Sequence, residues 1–234
     1  MRAWMAALLL AAAMSTAEAA DESPSPIFGH IEFLWTAPIA GSGARPVAQG
    51  LLRHPEAPHL ACWKTQDFPQ RAVDVRLEID DGAGRHTLWS GTEPGTESKF
   101  VRCGTIDLAA LGVTPGLRRI VLRFDGQIAA QTTIEVAESL ASAAFAQGDR
   151  MFVHGRTNYP DGLAPADYVG RFVWVLGFGP DGQVVDVQTE VAEGLAATRL
   201  RTAGQAAARL YRIGPDPTKP LRQFRQPYDI RPVP

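Results

Sequence analysis

A chain of 234 residues with 23 Lys and Arg against 25 Asp and Glu has a formal net charge of −2, which excludes a nucleic-acid or anionic-membrane grip built on bulk charge. Hydrophobic residues at 45% and charged residues at 21% are ordinary for a protein with a packed core, and the length suits one large domain or two small ones.

Residues 1–20 read as a secretory signal peptide. Arg2 gives a short positive start, Trp4 to Met14 form an apolar run of eleven residues, and small residues follow for cleavage near Ala19 or Ala20. The run is shorter than the ~20 residues that span a bilayer, and an uncleaved anchor is the alternative. Export places the mature chain in the periplasm, with no membrane span of its own. In an oxidising compartment Cys62 and Cys103 are expected to form a disulfide. A metal site at these cysteines is the weaker alternative, since neither lies in a C-x-x-C spacing and His or carboxylate ligands would be needed.

After the polar entry Asp21 to Pro26, His30 to Ala37 is expected as a first strand. Pro38 to Pro58, rich in Gly, Pro and Ala, reads mostly as loop, with a short strand near Val47 to Leu52. HLACWKT around Cys62 is another strand. In RAVDVRLEID, Val73, Val75, Leu77 and Ile79 alternate with Asp74, Arg76, Glu78 and Asp80, the pattern of a strand with one buried and one wet side. Asp81-Gly82-Ala83-Gly84 turns the chain into RHTLWSG. KFVRCGTIDL carries Cys103, LGVTPGLRR is a Gly/Pro connection, and Ile120–Phe124 and Gln131–Val136 flank an Asp125-Gly126 turn. Short strands without a helical period point to an all-β sandwich over residues 21–137. The Pro-Gly turn before two closing strands resembles bacterial immunoglobulin-like domains, and that resemblance implies a spacer or docking role.

Residues 138–148, rich in Ala and Ser, are a short helix or linker and the expected domain boundary. Beyond it, residues 149–234 change to a mixed pattern. Phe172, Trp174, Leu176 and Phe178 alternate on one face of a strand, Gly179-Pro180-Asp181-Gly182 reverses the chain, and Val184 to Val191 return as a hairpin partner. Leu195 to Tyr211 has apolar spacings of three to five and abundant Ala, an amphipathic helix weakened at Gly204 and stopped by Gly214-Pro215. Leu221 to Ile230 is a closing strand, and Pro227, lacking an N–H, should place it at an edge or on a bulge.

The ordered set Tyr159-Pro160, Gly170, the alternating strand, Asp181-Gly182, the helix, Tyr211 and Pro215 resembles the TonB C-terminal domain. Tyr211 stands where that family usually has Trp. The resemblance implies a two-domain chain whose second part is a small α+β domain, an antiparallel three-stranded sheet packed on a helix. It also implies capture of an extended peptide of an outer-membrane partner by strand addition, with Arg222, Phe224, Arg225, Tyr228 and Ile230 as the peptide-binding edge. Two alternatives stay open: a structural protein that dimerises through the same edge, and an energy transducer for outer-membrane transport if the N-terminal segment is an uncleaved anchor.

Catalytic signatures are not found. His30, His54, His59, His86 and His154 do not fall in H-E-x-x-H spacing, and the chain has neither G-x-S-x-G nor a Walker loop. Asp80-Asp81 reads as turn chemistry. A non-enzymatic protein without metal or cofactor is expected, with a protein partner in the cell envelope. Arg199, Arg201, Arg209, Arg212, Arg222 and Arg225 tilt the C-terminal part basic, either as a solvated face or as a docking surface for an acidic peptide.

Overall fold

The computed structural model describes residues 25–230 apart from 26, 36–44, 56–57, 67, 96–99, 157–163 and 168. The expected signal segment and the Tyr159-Pro160 pair lie outside the described residues.

Fourteen strands and one α-helix are described. The first half supplies β1 (Gly29–Trp35), β2 (Arg45–Ala48), β3 (Gly50–Leu52), β4 (His59–Thr65), β5 (Val73–Asp80), β6 (Arg85–Glu93), β7 (Phe100–Ile106), β8 (Gly116–Phe124) and β9 (Gln127–Ala137). The second supplies β10 (Met151–Arg156), β11 (Gly170–Phe178), β12 (Val184–Glu193), α1 (Leu195–Ala208), β13 (Arg212–Ile213) and β14 (Arg222–Ile230). Three sheets result, with strand orders β3-β9-β8-β5-β6, β13-β10-β2-β1-β4-β7 and β12-β11-β14.

The main core lies between the first two sheets. Val73, Val75, Leu77 and Ile79 of β5 are fully inside, joined by Ile120, Leu122 and Phe124 of β8 from the same sheet and by Trp63 of β4 from the other. The Trp63 and Phe124 rings meet at 5.4 Å, edge to face. On the outer side of β5, Glu78 is buried as well, held by Arg123 of β8 at 3.1 Å. Cys62 and Cys103 sit directly opposite each other on β4 and β7 and form a disulfide. This half is all β and compatible with the sandwich expectation.

The fold class read from the sequence needs correction. The chain is not a sandwich followed by a separate α+β TonB-like domain; it is mostly β throughout, and one of its three sheets draws on both halves. β10 pairs with β2 through Val153↔Ala48 to Arg156↔Arg45, and β13 pairs with β10, so the C-terminal half extends the sheet begun by β1. Gly155 permits the close fit that follows, because a Cβ there would stand 2.0 Å from the Ala207 carbonyl oxygen of α1. A third apolar cluster, with Leu52, Ala137, Phe145, Phe152 and Val153, fills the junction.

Smaller departures have local causes. The stretch Gly116–Arg119, expected as connection, is already strand, paired with Thr133–Val136 of β9. Residues 138–148 contribute a single 3-10 turn, Ala144–Ala146, whose amides at Ala144 and Phe145 are held by the Glu135 carboxylate. The helix stops at Ala208 rather than Tyr211. Arg212 and Ile213 are needed in extended form to pair with Met151 and Val153.

Candidate functional site

β11 is the centre of the three-stranded sheet, with β12 on one side and β14 on the other. Its inner face is apolar because every second residue is: Phe172, Trp174, Leu176 and Phe178 are all buried, in one cluster with Ala196, Ala197, Leu200 and Ala208 of α1. The hairpin to β12 closes as the sequence requires. Gly182 takes φ +78 and its N–H reaches the Gly179 carbonyl at 3.0 Å, while the Asp181 carboxylate accepts the Gln183 N–H at 3.0 Å. Gly182 has a second duty, since a Cβ there would meet the Ile213 carbonyl oxygen at 2.0 Å.

The two outer strands of this sheet differ in kind. The β11–β12 register slips twice, between Val173 and Trp174 and between Gly177 and Phe178, so β12 is bulged. Gln183, just ahead of it, is bridged to Arg212. Bulges twist an edge away from further pairing. The β11–β14 register runs from Gly170↔Ile230 to Phe178↔Arg222 with no shift. Among the described residues the far side of β14 has no strand partner. It is a nine-residue edge paired without a bulge, and Pro227 sits within it, the position where a residue without N–H is tolerated.

The residues expected on this edge have unequal roles. Arg222 is not a surface group: it is buried, and its guanidinium donates to the Asp149 carboxylate at 3.3 Å and to the Gly179 carbonyl at 3.3 Å, pinning the start of β14. Ile230 is buried at the other end. Phe224 and Tyr228 are half-buried on the inner face. Phe224 packs edge-on against Phe178 at 5.4 Å, and Tyr228 stacks on Phe172 at 4.7 Å and meets Trp174 at 5.0 Å. The Tyr228 and Tyr211 hydroxyls are hydrogen-bonded, and burial pushes both phenols above their ordinary pKa. Arg225 is exposed on the outer face, where it forms an ion pair with Glu190 across the sheet. Gly170 opens β11, and Pro215 is exposed in the connection after β13.

The burial of Arg222 was missed from sequence. The available signal was its place at the start of the even-numbered, inward series Phe224, Gln226, Tyr228, Ile230.

Other titratable groups are dispersed. His59 is buried and its Nε2 accepts the Leu52 N–H at 2.9 Å. His86 lies 3.3 Å from Asp81, His54 3.3 Å from Glu138, and His154 beside Gln49 at 2.7 Å. Asp81 is a turn anchor: it accepts the Ala83, Gly84 and Thr114 amides, which hold its carboxyl far below the usual range. Among the described residues no three His, Cys, Asp or Glu come together in a way that could hold a metal ion. None of the described helices is long and apolar enough to cross a membrane.

No family model and no curated protein matches the chain.

Proposed function

We propose that this is a non-enzymatic binding protein of the cell envelope that captures an extended segment of a partner protein along the outer side of β14. The observation that carries this reading is the contrast between the two edges of one small sheet. β12 is bulged, whereas β14 keeps nine consecutive pairs in register and has its second side free among the described residues. A visiting strand would take its affinity from main-chain hydrogen bonds to that side. Arg222 at one end and the packed Phe224 and Tyr228 rings hold the backbone in place, so little ordering is left to be done on binding.

The test is to pan random displayed octapeptides on the protein and to follow β14 by amide hydrogen exchange. The reading expects enriched peptides to protect amides within 222–230 and to lose binding when alternate peptide nitrogens are methylated. Protection elsewhere, or indifference to methylation, would end it.

One feature favours a second reading, in which the partner is another copy of the chain. Laid antiparallel on itself about Gln226, β14 sets Phe224 opposite Tyr228, and about Pro227 it sets Arg225 opposite Asp229. Light scattering separates the two: a dimer that Arg225→Asp dissolves, by setting a carboxylate opposite Asp229, belongs to the second.

A further inference from the structure

Strand alternation puts the disulfide on the outside of its sheet. Ala61 and Trp63 of β4 belong to the main core, so Cys62 between them points the other way, with Leu60 and Lys64. Cys103, directly opposite on β7, shares that outer face. The two residues are not equally covered: Cys62 is 4% exposed, whereas Cys103 is open to solvent. The difference follows from their places in the sheet. Cys62 has a strand on each side, and Glu32 of β1 stands opposite it. Cys103 lies on the last strand of the order, and among the described residues no strand pairs with the far side of β7.

Thiol–disulfide exchange is a displacement in which a thiolate approaches one sulfur from the side away from the other. Such an approach to Cys103 comes over the open edge of β7. The approach to Cys62 would come from β1, past the Glu32 carboxylate, which repels an anion. β7 also keeps its place without the bridge. It is paired with β4 at seven consecutive positions, from His59↔Ile106 to Thr65↔Phe100. The Arg102 guanidinium of β7 donates to the Glu93 carboxylate of β6 at 2.8 and 2.7 Å, and Glu93 is 1% exposed, so this pair ties β7 to the other sheet. Opening the S–S bond therefore leaves the strand attached.

We propose that Cys103 is a thiol-exchange site, at which a low-molecular-weight thiol adds while the protein stays folded. The incoming thiolate bonds to Cys103 Sγ and the Cys62–Cys103 bond breaks. Cys62 leaves with the electron pair as a thiolate, which takes a proton from water. A second molecule of the thiol then attacks the first at its sulfur and releases Cys103 as a thiolate. Two thiols are thereby oxidised to one disulfide, and the protein disulfide is reduced to two thiols. Exposed disulfides are the ones open to such exchange. The site belongs to a different sheet from β14 and does not depend on what that strand binds.

Reduced glutathione in excess over the full chain at about pH 8, where part of it is thiolate, tests the proposal, with acid quenching and peptide mapping by mass spectrometry. The first product should carry glutathione on Cys103 and a free thiol on Cys62, formed while the near-ultraviolet circular dichroism stays native. Its rate should rise in proportion to glutathione and change less than about twofold on adding ~1 M urea. Exchange that waits for global unfolding would instead speed up about tenfold or more, because the unfolding free energy falls with urea. That acceleration, a first adduct on Cys62, or no adduct on the native protein would each overturn the proposal. The single variants give a second reading. The thiol left by Cys62→Ser, at Cys103, should react with a charged disulfide reagent at least about tenfold faster than the thiol left by Cys103→Ser, at the buried Cys62. Equal rates would overturn it, and if either variant does not fold, the mapping on the native chain decides.

Discussion

A methyl group placed on Gly204 of α1 would stand 2.2 Å from Cζ2 of Trp174 on β11. The one residue that weakens the helix by propensity is thus the one that lets the largest side chain of the small sheet fit beneath it. Gly204→Ala would gain about 1 kcal/mol in helix propensity. It would lose about 1–3 kcal/mol by overpacking a ring that is 1% exposed and has Phe172 and Tyr228 on its other sides. The expected outcome is a lower urea midpoint with an unchanged slope. A higher midpoint would show that Trp174 has room to yield.

The Cys62–Cys103 bond closes a sequence separation of 41 residues. Chain entropy alone assigns such a loop about 4 kcal/mol, of which engineered and natural bridges deliver a variable part. The bond also ties β7, an outer strand of its sheet, to its neighbour β4. Cys62→Ala/Cys103→Ala, or reduction before unfolding, should lower stability by about 2–4 kcal/mol in urea titration. The first amides to lose exchange protection should be those of β7.

His59 sets a pH window. Burial lowers its pKa from 6.5 to about 4, and its Nε2 is occupied as the acceptor for the Leu52 N–H. As pH falls below 6.5 the unfolded chain takes up a proton that the folded chain refuses until about 4. The stabilisation is therefore complete above 6.5 and lost across that interval, by about 3 kcal/mol at most. Unfolding free energies at pH 7, 5.5 and 4 should show this fall in the native protein and a shallower one in His59→Gln. Parallel slopes would assign the pH dependence to other groups.

What the sequence made legible follows from range. β5 is visible in ten letters because its alternation is local, and the β11–β12 hairpin is visible because the turn residues sit between its strands. The disulfide follows from there being two cysteines in the chain. The fold class failed where pairing is long-range and the strands are short. Nothing local in Met151–Arg156 announces that it will pair with Arg45–Ala48, and Arg212–Ile213 has no room for a period of any kind. Those two strands merge halves that composition had divided. At the edge, Pro227 placed β14 on the outside of its sheet, but the burial of Arg222 depends on Asp149 and the Gly179 carbonyl, both remote in sequence.

Pro227 also offers the sharpest handle on what β14 does. It faces Val173 in the β14 register and deprives the strand of one N–H at its middle. Edge strands are commonly guarded in this way against indiscriminate pairing. Pro227→Val would restore the donor and add a residue of higher strand preference. If β14 is a strand acceptor, the variant should pair more readily, by about fivefold for a single added hydrogen bond of about 1 kcal/mol. Peptides selected on the native protein should bind it more tightly. In their absence its light scattering should rise with concentration where that of the native protein does not. Gain of affinity without self-association points to a rim shaped for one foreign strand, and self-association without gain points to pairing between copies. A variant that matches the native protein in both measurements would show that the outer side of β14 takes no strand at all.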